Sequence, residues 1–242
     1  MTEQVTPYKS CPESKREQIK KMFNIVSGNY DFLNKVITWG MHKRWYANVL
    51  NLVAKRNPDT ILDIATGTAD MAILLSKTHA KYILGVDISQ GMLAIANEKI
   101  QRLNLQEQIQ TKIQDAENLD MPDNFFDVAT VTYGIRNFEN LEKGLAESLR
   151  VLKPGGIMVI LETSIPSNPF LRSGYRFYTK RIMPKIAGLF SKDKCAYAYL
   201  SKSAIKFPYG VELVSILQKM GFRNVKSIPQ MGGISTIYSA EK

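Results

Sequence analysis

Apolar residues in this chain recur at two different spacings, and the changes between them mark out the elements. Ile19, Met22, Phe23 and Val26 fall at helical spacing with Lys20 and Lys21 between them, which predicts an amphipathic helix. The polar stretch before it, to about Pro12, reads as a disordered tail. From Tyr30 to Trp45 the period fades and aromatics accumulate. Trp39 and Trp45 are both expected to bury large areas, so this segment reads as a packed cap. Beyond it, short apolar runs alternate with helical patterns. The runs at 60–65, 81–86, 110–113, 126–133 and 157–162 predict strands. Ser89 is the expected cap of a helix carrying Met92, Ile95, Ala96, Lys99 and Leu103. A further helix carries Leu141, Leu145, Leu149 and Leu152, and Lys153-Pro-Gly-Gly156 breaks it. Such alternation predicts an α/β fold with a mostly parallel sheet covered on both faces.

Residues 163–208 interrupt the rhythm. Within them Arg172, Arg176 and Lys180 recur every fourth residue beside a second stripe of Tyr175, Tyr178 and Ile182. This pairing suits a lid helix with a solvated basic face, and equally a helix lying on an anionic membrane surface. A helix at 211–220 and strands at 224–228 and 234–239 close the chain. Residues 230–233 join those strands as a hairpin, which supplies an antiparallel edge. The expected layout is one domain over 1–242. It comprises a helical cap (1–50), a core (58–162), a lid insertion (163–208) and a C-terminal helix and hairpin (209–242).

Composition changes this picture in three ways. No apolar run approaches the roughly 20 residues that span a bilayer. Cys11 and Cys195 have no pairing logic, which predicts a reducing cytoplasm, and with two histidines no His/Cys metal site is expected. The net charge of +10 favours an anionic partner: nucleic acid, a membrane face or acidic small molecules.

The candidate chemistry sits where the first strand ends, in Thr60-Ile-Leu-Asp-Ile-Ala-Thr-Gly-Thr-Ala-Asp70. A buried strand, a tight turn and a helix open a nucleotide-binding unit. Asp87 ends the second strand twenty positions after Gly67, where such folds place a ribose-binding carboxylate. A pyrophosphate site wants several glycines and no nearby anion. Here Gly67 is alone, and Asp63 and Asp70 bracket it. Two carboxylates suit a ligand that carries an ammonium and a sulfonium, which favours S-adenosylmethionine over NAD.

Two signatures extend this reading. The first is Tyr30-Asp31 with Asn34, Thr38, His42 and Trp45. The second runs from Arg150-Val-Leu-Lys-Pro-Gly-Gly156 to Leu161-Glu-Thr-Ser164. With Gly134-Ile-Arg-Asn-Phe138 and lid positions Tyr178, Pro184, Tyr197-Ala-Tyr-Leu200 and Phe207-Pro208, they resemble the ubiquinone/menaquinone biosynthesis C-methyltransferases from about Lys15 onward. The Lys-Pro-Gly-Gly piece is common to many methyltransferases; the first signature and the lid are specific to the quinone group. Leu33 and Thr38 depart mildly from that family's methionine and serine. Ala69 stands where the family tends to have a second glycine. Alanine there is expected to need φ below zero and to bring a methyl toward the donor.

The resemblance implies a Rossmann-like, seven-stranded methyltransferase fold with S-adenosylmethionine as cofactor. Gly67 and Thr68 would meet the donor's methionine end, with Asp63 at the turn. Asp87 would take the ribose, Asp115 and the Ala116 amide the adenine, and Thr132 would face the sulfur. Arg136 would stabilise an acceptor phenolate and Asn137 orient its hydroxyl. Asp70, Asp31 or His42 would take the proton, while Glu162 would hold the lid or the first helix. The implied partners are a polyprenylated quinol and, transiently, the inner face of the cytoplasmic membrane. A homodimer is compatible, and no nucleic acid is expected. The expected acceptor is a menaquinone precursor, demethylmenaquinol, with a ubiquinol precursor (or both) as the alternative; the rivals of other kinds are an RNA or protein methyltransferase of the same fold and a non-catalytic donor-binding scaffold.

Overall fold

The structure is a computed structural model that describes residues 5–8, 11–182 and 193–242. Seven strands form one sheet: β1 (Thr60–Ile64), β2 (Tyr82–Asp87), β3 (Ile109–Ile113), β4 (Phe126–Thr132), β5 (Leu152–Thr163), β6 (Arg223–Gln230) and β7 (Ser235–Glu241). Their order is β3-β2-β1-β4-β5-β7-β6. The first five pair in parallel, and β7 joins β5 antiparallel with β6 outside it. The parallel sheet and its antiparallel edge hairpin are therefore as the sequence pattern predicts. The chain reverses direction across the sheet between β1 and β4, the switch point at which open α/β sheets leave a crevice beyond the strand ends.

Eight helices flank the sheet among the described residues. They are α1 (Lys15–Ile37), α2 (His42–Ala54), α3 (Asp70–Leu75), α4 (Gln90–Arg102), α5 (Leu141–Val151), α6 (Pro169–Phe177), α7 (Lys194–Lys206) and α8 (Val211–Lys219). Two buried clusters hold the layers together. One packs Leu62, Ile64, Val131 and Ile160 against Leu145, Leu213 and Leu217; the other packs Ile61, Ile83 and Val159 against Val49, Val53 and Leu75. Sidedness follows from register: alternate residues of β1 go to opposite clusters, as strand geometry requires. Ser89 accepts from the Met92 amide at 3.2 Å and caps α4 as expected.

Four expectations change. The helix of Ile19 continues to Ile37, so the faded period at 30–37 is still helical; only 38–41 turn. Trp45 is buried, but Trp39 is 76% exposed at that turn. Residues 5–8 are not a free tail: Val5 and Tyr8 pack beside Ile19, Met22 and Tyr199, and Tyr8 donates to Asp193 at 2.5 Å. Finally, α5 ends at Val151, and the chain is already extended at Leu152. Lys153-Pro-Gly-Gly156 forms a bulge between the pairs Phe126–Leu152 and Val128–Ile157. In the lid, α6 ends at Phe177 in a wider turn over Tyr178–Ile182; Met183 and Pro184, and the side chains of Lys180 and Tyr197, lie outside the described residues.

Candidate active site

The ends of β1, β2 and β4 surround a narrow cavity roofed by α1. Gly67, Asp87, Asp115, Ala116 and Thr132 line it, as does Asn137, together with Ile88, Met92 and Phe138. Local backbone explains the hollow. Ala65, Gly67 and Ala69 all take positive φ, at 52°, 56° and 65°, so the chain curls tightly after β1. Gly134 lets the loop after β4 approach this curl: a Cβ there would lie 2.5 Å from that of Ala65.

Asp87 holds the curl from the next strand, accepting from the Gly67 amide and the Ser89 amide, each at 2.9 Å. Burial raises its pKa. Asp115 accepts from Glu117 N at 2.9 Å and pairs with Arg16 of α1 at 3.0 Å. Thr132 Oγ1 is buried without a hydrogen-bond partner among the described residues. An unpaired polar atom facing a cavity, two carboxylates at strand ends and an apolar wall fit S-adenosylmethionine. They would bond its hydroxyls and amine and pack its adenine.

Three of the sequence candidates sit elsewhere. Asp63 is buried beneath the turn, where Thr66 Oγ1 and Thr130 Oγ1 each donate to it at 2.6 Å. Burial pushes its pKa up to about 6. It braces the turn rather than lining the cavity. Thr68 donates to Asp31 of α1 at 2.5 Å. Asp70 is exposed and pairs with Lys99 of α4, which also reaches Asp31 at 3.0 Å. Neither Thr68 nor Asp70 lines a cavity. Ala69 differs from expectation twice. It accepts a left-handed conformation without being glycine, and it is buried in the core cluster of Trp45, Met71 and Leu75 and does not line the cavity.

A second, larger cavity of about 430 Å³ adjoins the first, and Tyr30 and Tyr133 line both. Its walls are mostly apolar and aromatic: Trp45, Tyr46, Leu171, Tyr175, Tyr178 and Ile234 among them. Arg136 and Thr163 bring polar groups to this wall, and His42 contributes an imidazole. The size and the mixture are those of an organic-ligand site. Thr38 Oγ1 donates its one proton to the Asn34 carbonyl at 2.7 Å. The 2.6 Å contact between Thr38 Oγ1 and His42 Nδ1 therefore makes Nδ1 the donor. Burial lowers the His42 pKa. Asn137 faces the first cavity, not this one, and accepts from Tyr199 at 3.1 Å.

Arg136 is held by Glu162, which the sequence reading expected to hold the lid or the first helix. Its Nη1 donates to Glu162 Oε1 at 2.6 Å, with side-chain exposures of 8% and 1%. Burial alone would lower the guanidinium's pKa, but the adjacent carboxylate outweighs it and keeps Arg136 above its ordinary value. The pairing has no local signal, since 26 residues separate the partners. Lys99, read only as part of its helix, pairs with Asp31 and Asp70 for reasons equally hidden from local sequence.

Comparison with known proteins settles the family. The ubiE/COQ5 methyltransferase profile matches residues 11–242. The chain belongs to the ubiE/COQ5 methyltransferase family. Among curated relatives, a demethylmenaquinone methyltransferase of Bacteroides fragilis is 38% identical over 99% of this chain and 98% of its own. A ubiquinone/menaquinone biosynthesis C-methyltransferase of Geobacter sulfurreducens is 39% identical over 94% and 90%. Among solved structures, a methyltransferase of Methanococcus maripaludis superposes with a TM-score of 0.64 at 21% identity, covering 92% of this chain and 94% of its own. The [4+2]-cyclase SpnF reaches 0.66 at 19% identity, covering 94% and 96%. These structural likenesses show a fold shared beyond the ubiE/COQ5 family, by enzymes of different chemistry.

Proposed function

We propose that this enzyme transfers a methyl group to a ring carbon of demethylmenaquinol, in menaquinone biosynthesis. The observation that carries the reading is the pair of adjoining cavities. One, at the strand ends, fits S-adenosylmethionine; the other is aromatic-walled and holds one buried cation. When bound, the donor supplies an electrophilic methyl on a sulfonium.

The acceptor's ring carbon is nucleophilic only when the neighbouring hydroxyl is ionised. A phenol of pKa about 10 is about 0.1% ionised at neutral pH, and lowering that pKa by three units is worth about 4 kcal/mol. Arg136 stays protonated and supplies part of this by facing the phenolate. Tyr30 and Tyr133 fix where the two cavities meet, so the reacting atoms are held in line and water is kept out. Asp87, Asp115, Ala116, Gly67 and Thr132 would hold the donor, and Asn137 would act from the donor side.

The mouth of the acceptor cavity supports contact with a lipid surface. Trp39, Phe170 and Leu171 line the cavity yet are 76%, 87% and 43% exposed. The enzyme would then work from the cytoplasm, transiently at the inner membrane face, where a prenyl tail remains in lipid. No described helix is long and apolar enough to cross a membrane.

The deciding experiment is transfer of label from S-adenosylmethionine to short-chain demethylmenaquinol under reducing conditions, with a ubiquinol precursor and RNA alongside. Label on the naphthoquinol ring is expected. Label on RNA alone would replace the reading.

A further inference from the structure

Resting on the quinol-methylation reading, we propose that Glu162 takes the acceptor's hydroxyl proton, relayed through the hydroxyl of Thr163. A proton acceptor is needed, and Arg136 cannot serve because guanidinium has no lone pair to offer. Asp31 and Asp70 are tied to Lys99 and line neither cavity. Thr163 lines the acceptor cavity, and its Oγ1 donates to Glu162 Oε1 at 3.0 Å. The same Oε1 accepts from Arg136 Nη1 at 2.6 Å and from the Thr163 amide at 2.7 Å. The other oxygen, Oε2, is buried with no partner among the described residues. The relayed proton therefore arrives on Oε1 along the existing Thr163 hydrogen bond, while Oε2 keeps its lone pairs.

Charge balance favours this route. Arg136 and Glu162 form a buried neutral pair. Ionising the acceptor to bulk water would add a second anion to a dry site, which is costly. Moving the proton to Glu162 keeps the site's total charge constant and leaves the Arg136 cation opposite the new phenolate.

The steps balance. The acceptor's O–H bond breaks as a new O–H forms on Thr163, whose own proton passes to Glu162. The C–CH₃ bond forms as the S–CH₃ bond breaks. The ring C–H then loses its proton to water, and Glu162 returns its proton to the ring oxygen by way of Thr163. One proton leaves per turnover.

The groups around the pair are Arg136 and Tyr133 after β4, Tyr175 on α6, Tyr199 on α7 and Tyr238 on β7, each electrostatically coupled to Glu162. His42 on α2 is the rival base, because its Nε2 is left as the acceptor.

The test uses the full chain with saturating donor and short-chain quinol, and follows kcat from pH 6 to pH 9. Thr163→Val should lower kcat about 100-fold at pH 7, the scale of general-base catalysis. The loss should shrink about tenfold per pH unit as hydroxide takes over. Thr163→Ser should restore kcat to within about threefold, which a packing role for the threonine would not produce with the same pH slope. Donor binding, measured by titration calorimetry, confirms that each variant is folded. The inference is overturned if Thr163→Val stays within threefold of the wild type, if its loss is independent of pH, or if His42→Gln alone reproduces the slope. If the wild type methylates no quinol, the functional reading fails as well. If the wild type is active and Thr163→Val is unaffected, only the relay fails.

Discussion

Glu162 is 1% exposed, and Arg136 is its only cation among the described residues, so the two side chains stand or fall together. Arg136→Ala should leave that carboxylate uncompensated and cost roughly 3–5 kcal/mol of stability, read by urea denaturation. Arg136→Lys keeps the charge and loses the planar fork. Its kcat should fall about 100-fold while the donor Kd stays within about threefold. Equal losses in both constants would take Arg136 away from the acceptor. Asp63 gives a pH signature. Its pKa is about 6 in the fold against 3.8 as the ordinary value, because burial disfavours the anion. The folded state therefore binds more protons than the unfolded chain between about pH 4 and 6, and stability declines as pH rises through that window. Asp63→Asn should flatten the decline; an unchanged slope from pH 4 to 7 would assign it to Asp87 or elsewhere. Ala69 pays a left-handed penalty of roughly 1–2 kcal/mol. Glycine would relieve it but lose buried methyl area and gain chain entropy, so Ala69→Gly should be near neutral. Since the methyl lies in the core, donor Kd should not move beyond about twofold. A tenfold tightening would show that the methyl touches the donor.

At the level of elements, α1 is what closes the donor cavity. Polar ties along its length hold it: Lys15 to Glu139 and to the Arg136 and Phe138 carbonyls, Arg16 to Asp115, Asn24 to Ser89 Oγ and Gly91 N at 2.7 and 2.9 Å, and Asp31 to Thr68 and Lys99. Lys99 is 17% exposed and lies between two carboxylates on different elements, Asp31 on α1 and Asp70 on α3. Lys99→Met keeps the stem and removes the charge, so those carboxylates repel. Amide exchange in the second half of α1 should quicken, and donor affinity should fall about tenfold. Unchanged exchange there would mean that α1 is held by its apolar face alone. The sequence made the elements legible where information is local. Apolar runs gave the strands, Ser89 the cap, and the strand-end acids Asp87 and Asp115 the narrow cavity, whereas the acids of the β1 turn, Asp63 and Asp70, do not line it. What it hid is set by tertiary neighbours. Nothing near Trp39 says that one tryptophan of the cap stays outside while Trp45 goes in. Nothing near Glu162 names Arg136, and Arg172, read as part of a basic stripe, spends its guanidinium on the carbonyls of Pro166 and Ser167 at 3.0 and 2.7 Å.

Taken as a whole molecule, the surface is asymmetric in a way the +10 charge alone does not convey. Phe170, Trp39 and Phe177 are 87%, 76% and 62% exposed, and Ile182 and Leu171 add apolar area on the lid. Arg176 and Arg181 are exposed on the same segment. Aromatic and basic side chains side by side suit the headgroup boundary of an anionic bilayer, where each basic residue contributes about 1 kcal/mol and inserted rings add more. Under the proposed function, a surface of this kind beside the aromatic-walled cavity would solve a physical problem. A quinol with a long prenyl tail is costly to lift into water, but only its ring would have to reach Arg136. Sedimentation with vesicles containing phosphatidylglycerol should therefore carry the protein down, and added salt should weaken but not abolish binding, since the apolar share is not screened. Phe177→Ser with Ile182→Ser, at exposed positions outside the cavity lining, should lower vesicle binding at least tenfold. Turnover of a short-chain, water-soluble quinol should stay within about twofold in the same variant. Loss of both together would make these side chains part of the acceptor pocket. Loss of neither would leave the exposed aromatics to a protein partner.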